Sequence, residues 1–157
     1  MASGSHQSLD VLLPPQAART RRSYRQRMPV EIAEDIRLFL RQPNPAVMAT
    51  LAKDGRPVAV ATWYLLEPSG EVLLNLDAER VRLGHLRRDP RVALDVLEDG
   101  NWYHHVSLQL RVLRIEDDHG HADIDRLSRH YGGQPYPDHE RPRVSVRCEV
   151  LAVHAWG

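Results

Sequence analysis

Between Trp102 and Ile115 the chain alternates, with Trp102, Val106, Leu108, Leu110 and Val112 on one side and Tyr103, His105, Ser107, Gln109 and Arg111 on the other. A period of two sends successive side chains to opposite faces, so the run predicts one strand with an apolar and a polar face. It is far longer than the roughly five or six residues of an ordinary strand, and a bend or bulge is expected within it. The rest of the chain shares this pattern. Residues 46–52, a tight turn at Asp54-Gly55 and residues 57–66 read as a hairpin. A second turn at Pro68-Ser69-Gly70 leads into 71–76, Val92, Leu94 and Val96 alternate with Arg91, Ala93 and Asp95, and 143–153 alternates once more.

Three short helical patterns interrupt the strands. Ile32, Ile36, Phe39 and Leu40 recur at helical spacing after Pro29, which suits a first turn, and Pro43-Asn44-Pro45 stops the helix. Residues 79–88 form a second, with Leu83 and Leu86 facing inward and an end at Asp89-Pro90. Ile124, Leu127 and Tyr131 mark a third, closed by Gly132-Gly133. Six strands joined mostly by tight turns, without βαβ alternation or internal repeat, predict a mainly β fold, a six-stranded antiparallel barrel.

The chain has 157 residues, 42% of them apolar, enough for one domain with a core of its own. Its single cysteine, Cys148, has no internal partner, so burial must hold the fold. No apolar run reaches the roughly 18 residues of a membrane helix, and the first residues lack the basic-then-apolar order of a secretory signal, so a cytoplasmic location is expected. Residues 1–28 carry Arg19, Arg21, Arg22, Arg25 and Arg27 against Asp10 alone, although the whole chain balances at zero formal charge. The expected organisation is therefore a basic arm, 1–28, followed by one mildly acidic domain, 29–157. An acidic folded body argues against nucleic acid as the partner.

No Gly-x-Ser-x-Gly, Gly-x-Gly-x-x-Gly, Walker loop or Cys-x-x-Cys is present. The distinctive stretch is the strand Leu73-Leu74-Asn75-Leu76, a short loop, and a helix that opens with Arg80 and Arg82. Backbone N–H groups at a helix start joined by guanidinium groups make an anion site, but the same arginines, with Arg87 and Arg88, also suit a solvated helix face. His104 and His105 are neighbours on a strand, so at most one faces a given site; His104 falls in the apolar register and His105 in the polar one. His119 and His121, beside Asp117 and Asp118, read as a solvated turn, and no metal site is expected.

In this order and spacing, Pro45-Ala46-Val47-Met48-Ala49-Thr50-Leu51-Ala52-Lys53-Asp54-Gly55-Arg56-Pro57 resembles the first hairpin of the pyridoxamine-phosphate-oxidase-like, FMN-binding split barrels, and of their deazaflavin-dependent branch in particular. Leu86-Arg87-Arg88-Asp89-Pro90-Arg91-Val92-Ala93-Leu94 resembles the helix-to-strand corner of the same family. The resemblance implies a cofactor phosphate held by Arg80 and Arg82, a ring system passing Val60, Ala61, Thr62 and Trp63, and contacts near Leu74, Asn75 and Leu76. It implies a homodimer whose second copy brings its long strand to the site, with His105 and Tyr103 as the residues offered and His105 in a catalytic role. The stretch from Tyr131 to Tyr136 resembles a loop at the substrate mouth. The implied activity is a coenzyme F420-dependent reductase that transfers hydride to a conjugated or electron-poor small molecule. The implied alternatives are an FMN-dependent oxidoreductase and a non-catalytic flavin, deazaflavin or haem binder. The basic, proline-containing C-terminus that recognises pyridoxal phosphate is replaced here by Val150-Leu151-Ala152-Val153-His154-Ala155-Trp156-Gly157, so the resemblance does not extend to pyridoxamine-phosphate oxidation.

Overall fold

The architecture comes from a computed structural model that describes residues 30–157; the arginine-rich arm and Pro29 lie outside the described residues. The strands are β1 (Ala46–Leu51), β2 (Pro57–Thr62), β3 (Leu65–Leu66), β4 (Val72–Asp77), β5 (Arg91–Glu98), β6 (Asn101–Asp117) and β7 (Arg143–Trp156). They form one antiparallel sheet in the order β2-β1-β5-β6-β7-β4-β3. Its two edge strands, β2 and β3, are consecutive in the chain and separated only by Trp63 and Tyr64. The three Cα–Cα steps from Thr62 to Leu65 span at most about 11 Å, so the sheet must curl until its edges approach each other. The result is a barrel with a split between β2 and β3.

The expected strand over 57–66 is divided at that split, which makes seven strands where the sequence pattern shows six. Tyr64 causes the break by turning into the core, where it is fully buried. Its hydroxyl donates to the Gln42 carbonyl at 3.5 Å, and its backbone N–H donates to the Tyr131 hydroxyl at 3.4 Å. Around it, Met48, Leu94, Leu108, Leu110 and Val146 fill the barrel with almost no exposure. β6 is bent, as its length requires: the β6–β7 register shifts between Gln109 and Leu110 and again between Val112 and Arg114.

Among the described residues, three α-helices decorate the barrel. α1 (Glu34–Leu40) is shorter than the expected span after Pro29, because Ala33 ahead of it is extended and offers no capping side chain. Ile32 is buried just before the helix instead of on it. α2 (Val81–Arg88) buries Leu83 and Leu86 as expected, and also His85, whose Nδ1 lies 3.0 Å from Thr50 Oγ1 on β1. α3 (Ala122–Gly132) ends at Gly133, which takes the left-handed conformation (φ 73°) open to glycine and donates its N–H to the Arg129 carbonyl at 2.9 Å. No helix among the described residues is long and apolar enough to cross a membrane.

Candidate functional site

A groove of about 550 Å³ opens at the split. One end is cationic. α2 begins two residues later than expected because Asp77, the last residue of β4, holds the turn ahead of it: its carboxylate accepts from the Glu79 N–H at 3.0 Å, and its carbonyl from the Arg80 N–H at 3.1 Å. Arg80 thus becomes the extended residue preceding the helix (φ −67°, ψ 131°), and Arg82 lies in the first turn. Both line the groove. The Glu79 N–H, followed by the nearby Arg141, Arg80 and Arg143, keeps the Asp77 carboxyl below its ordinary range.

Arg82 is the unusual group. Its Nη1 is buried without a hydrogen-bond partner, and burial, with Arg80 beside it, lowers its guanidinium from the usual value. A desolvated cation facing a groove next to a second cation is stabilised by an anion between them. The backbone N–H groups of the first turn of α2 add donors for the same ligand. This donor set has the chemistry to hold a phosphate, and a solvated helix face would not leave Nη1 buried and orphaned.

The other end is aromatic. Trp63, in the link between β2 and β3, stacks on Tyr131 with ring centres 5.3 Å apart and meets the edge of Tyr136 at 6.4 Å. The Tyr131 hydroxyl donates to the Asn44 carbonyl at 3.0 Å, and burial pushes its pKa up to about 12, so it remains a hydrogen-bond donor through the physiological range.

Ala61, Thr62, Trp63, Asn75, Leu76, Arg80 and Arg82 all line this one groove, although they come from β2 and the link after it, from β4, and from α2 and the residue before it. Tyr131 and Tyr136 line it as well. Leu74 does not; it is fully buried in the barrel core. Val60 does not either; it is half-buried and pairs with Met48 of β1, two residues back along β2 from the groove-lining pair of Thr62 and Ala46. His105 sits outside the groove of its own chain, its ring stacked on Trp156 at 4.7 Å and its Nδ1 3.1 Å from the Tyr103 carbonyl oxygen. His104 packs against Phe39 at 4.6 Å. His121 stacks on His139 at 4.7 Å with its Nε2 3.0 Å from the Arg141 carbonyl oxygen, and no group of three or more metal-ligating side chains occurs among the described residues.

Arg143 and Asp77 line the groove without any local sequence signal. They face each other because β4 and β7 pair Asp77 with Arg143, a register that neither strand announces alone.

The sequence matches the family model of pyridoxamine 5'-phosphate oxidase over residues 32–157. Comparison with curated proteins gives no match. Among solved structures the chain is similar to an F420 reductase, at 23% identity and a TM-score of 0.68, covering 74% of this chain and 94% of that one. It is similar to a conserved hypothetical protein from Mycobacterium tuberculosis, at 25% identity and a TM-score of 0.65, covering 82% and 86%. General stress protein 26 from Bacillus anthracis gives 12% identity and a TM-score of 0.61 over 78% and 92%.

Proposed function

The chain belongs to the pyridoxamine 5'-phosphate oxidase family, and from that premise we propose that it is a cytoplasmic oxidoreductase that binds coenzyme F420 in the groove at the split. The observation that carries the reading is the partnerless, buried Nη1 of Arg82 beside Arg80 at the start of α2. Similarity to a solved F420 reductase favours the deazaflavin over FMN, which the same phosphate site accepts. When bound, the reduced deazaflavin supplies a hydride to a conjugated or electron-poor small molecule.

The residues around it bind and orient. Arg80 and Arg82 hold the phosphate. Ala61, Thr62 and Trp63 form the wall for the ring system, and the strand at Asn75 and Leu76 forms the floor. Tyr131 and Tyr136 shape the substrate's end and exclude water from it. His105 of a second copy, or solvent, returns the proton.

A second copy is called for by the surface as well. Trp102, Tyr103 and Trp156 are 67%, 73% and 51% exposed. Such features ask for a cover, which a homodimer gives. Sedimentation is expected to show a dimer at micromolar concentration; a monomer that binds cofactor tightly overturns the assignment of His105.

The deciding experiment titrates the purified protein with riboflavin, FMN and F420. Tight binding of F420, and of FMN well above riboflavin, is expected. Equal binding of riboflavin and FMN removes the phosphate site, and a haem spectrum in the purified protein overturns the reading.

A further inference from the structure

Arg143 lines the groove and is not one of the two arginines to which the phosphate is assigned. Its Nε donates to Asn75 Oδ1 at 2.8 Å, and its guanidinium carbon lies 5.0 Å from the centre of the Tyr136 ring. Asn75 in turn is pinned, since its Nδ2 donates to Asp118 Oδ2 at 2.9 Å and to Ser145 Oγ at 3.4 Å. Asp118 cannot yield, because its two carboxylate oxygens accept the backbone N–H groups of Asp123 and Ile124, each at 2.9 Å, at the start of α3. A relay thus runs from a helix start through Asp118 and Asn75 to the inner edge of one guanidinium.

The outer edge is open. Among the described residues the terminal amino groups of Arg143 donate no hydrogen bond. The carboxylate of the cross-strand partner Asp77 already accepts from the Glu79 N–H and lies 3.6 Å from Arg141 Nη1. A guanidinium held by one edge and covered on one face presents a rigid two-pronged fork, the geometry that matches a carboxylate. Tyr136 lies against that guanidinium, and Tyr131 lines the same groove.

We propose that Arg143 is the specificity-determining residue for a substrate that carries a carboxylate on a flat conjugated skeleton, with the carboxylate on the Arg143 fork and the skeleton against Tyr131 and Tyr136. Asn75 and Asp118 are its positioning residues. The inference rests on the reading of the groove as an oxidoreductase site whose cofactor phosphate belongs to Arg80 and Arg82.

Cinnamate and its uncharged isostere cinnamamide serve as probes, with binding to the full chain measured by calorimetry in the absence and presence of saturating FMN. Cinnamate is expected to bind roughly tenfold to a hundredfold more tightly than cinnamamide, the range of a charge-assisted pair of hydrogen bonds. Arg143→Gln is expected to bring the two probes within about twofold of each other, and Arg143→Lys, a second variant should the first fail to fold, to keep part of the preference through its charge. Both variants should bind FMN and F420 as the parent does. No binding of cinnamate to the parent, equal binding of the two probes, or a preference that survives Arg143→Gln overturns the inference. A tenfold loss of FMN or F420 in Arg143→Gln also overturns it, by moving Arg143 into the cofactor site. If the parent binds no cofactor while Arg143→Gln still abolishes the cinnamate preference, the cofactor reading fails and the carboxylate site stands.

Discussion

Arg82 and Arg88 occupy the same short helix, α2, and carry the same charge, but only Arg82 lines the groove and buries an unpartnered donor. Loss of a charge-assisted hydrogen bond costs about 1.5 to 3 kcal/mol, so Arg82→Ala should weaken FMN and F420 by roughly tenfold to a hundredfold. Arg88→Ala, an exposed change, should alter affinity by less than about 0.5 kcal/mol. Titration of the two variants side by side checks the contrast, and equal behaviour removes the phosphate assignment. Local spacing left Arg80, Arg82, Arg87 and Arg88 equally suited to a solvated helix face, and it was the family resemblance that pointed to Arg80 and Arg82. Neither pointed to Arg143, because its orientation is set by Asn75, Asp118 and Tyr136, each distant in sequence and close only in the folded barrel.

At the scale of elements, α2 has a weak point in its interior. Gly84 has ordinary helical geometry, and a Cβ there would meet only Arg88 Nη1, at the comfortable distance of 3.6 Å. Gly84→Ala should therefore stabilise the protein by about 0.5 to 1 kcal/mol, read as a shift in the urea midpoint. The split side of the barrel is tied by ions instead. Glu67, following β3, accepts from Arg126 of α3 at 3.0 and 2.9 Å and from Arg147 of β7 at 3.1 Å. The Arg126 hydrogen bonds, then Arg147, hold the Glu67 carboxyl below its ordinary range. A carboxyl depressed in the folded state contributes stability that is complete above its unfolded pKa of about 4.3 and is lost as pH falls through the folded value. The melting temperature should therefore fall below about pH 4.3, and Glu67→Gln, less stable at neutral pH, should converge with the parent in acid. Equal acid dependence in both proteins would remove Glu67 from the cause.

On the scale of the whole molecule, the basic arm, 1–28, is expected to be dispensable for folding, because its composition offers little apolar surface to bury. Deleting it should leave the melting temperature unchanged within about 2 °C, and a larger loss would mean that the arm packs on the domain. The antiparallel barrel, its hairpin turns, the helix stops at Asp89-Pro90 and Gly132-Gly133, and the irregularity of the long strand were all determined by sequence alone. Each depends on alternation, turn residues and local backbone preference, which act over a few neighbours. The tertiary structure alone decided that Tyr64 breaks an apparent strand, that β2 and β3 leave a groove between them, and that Arg143 faces that groove from the end of a distant strand. These depend on which strands pair and in what register, and register is set by packing across the whole sheet.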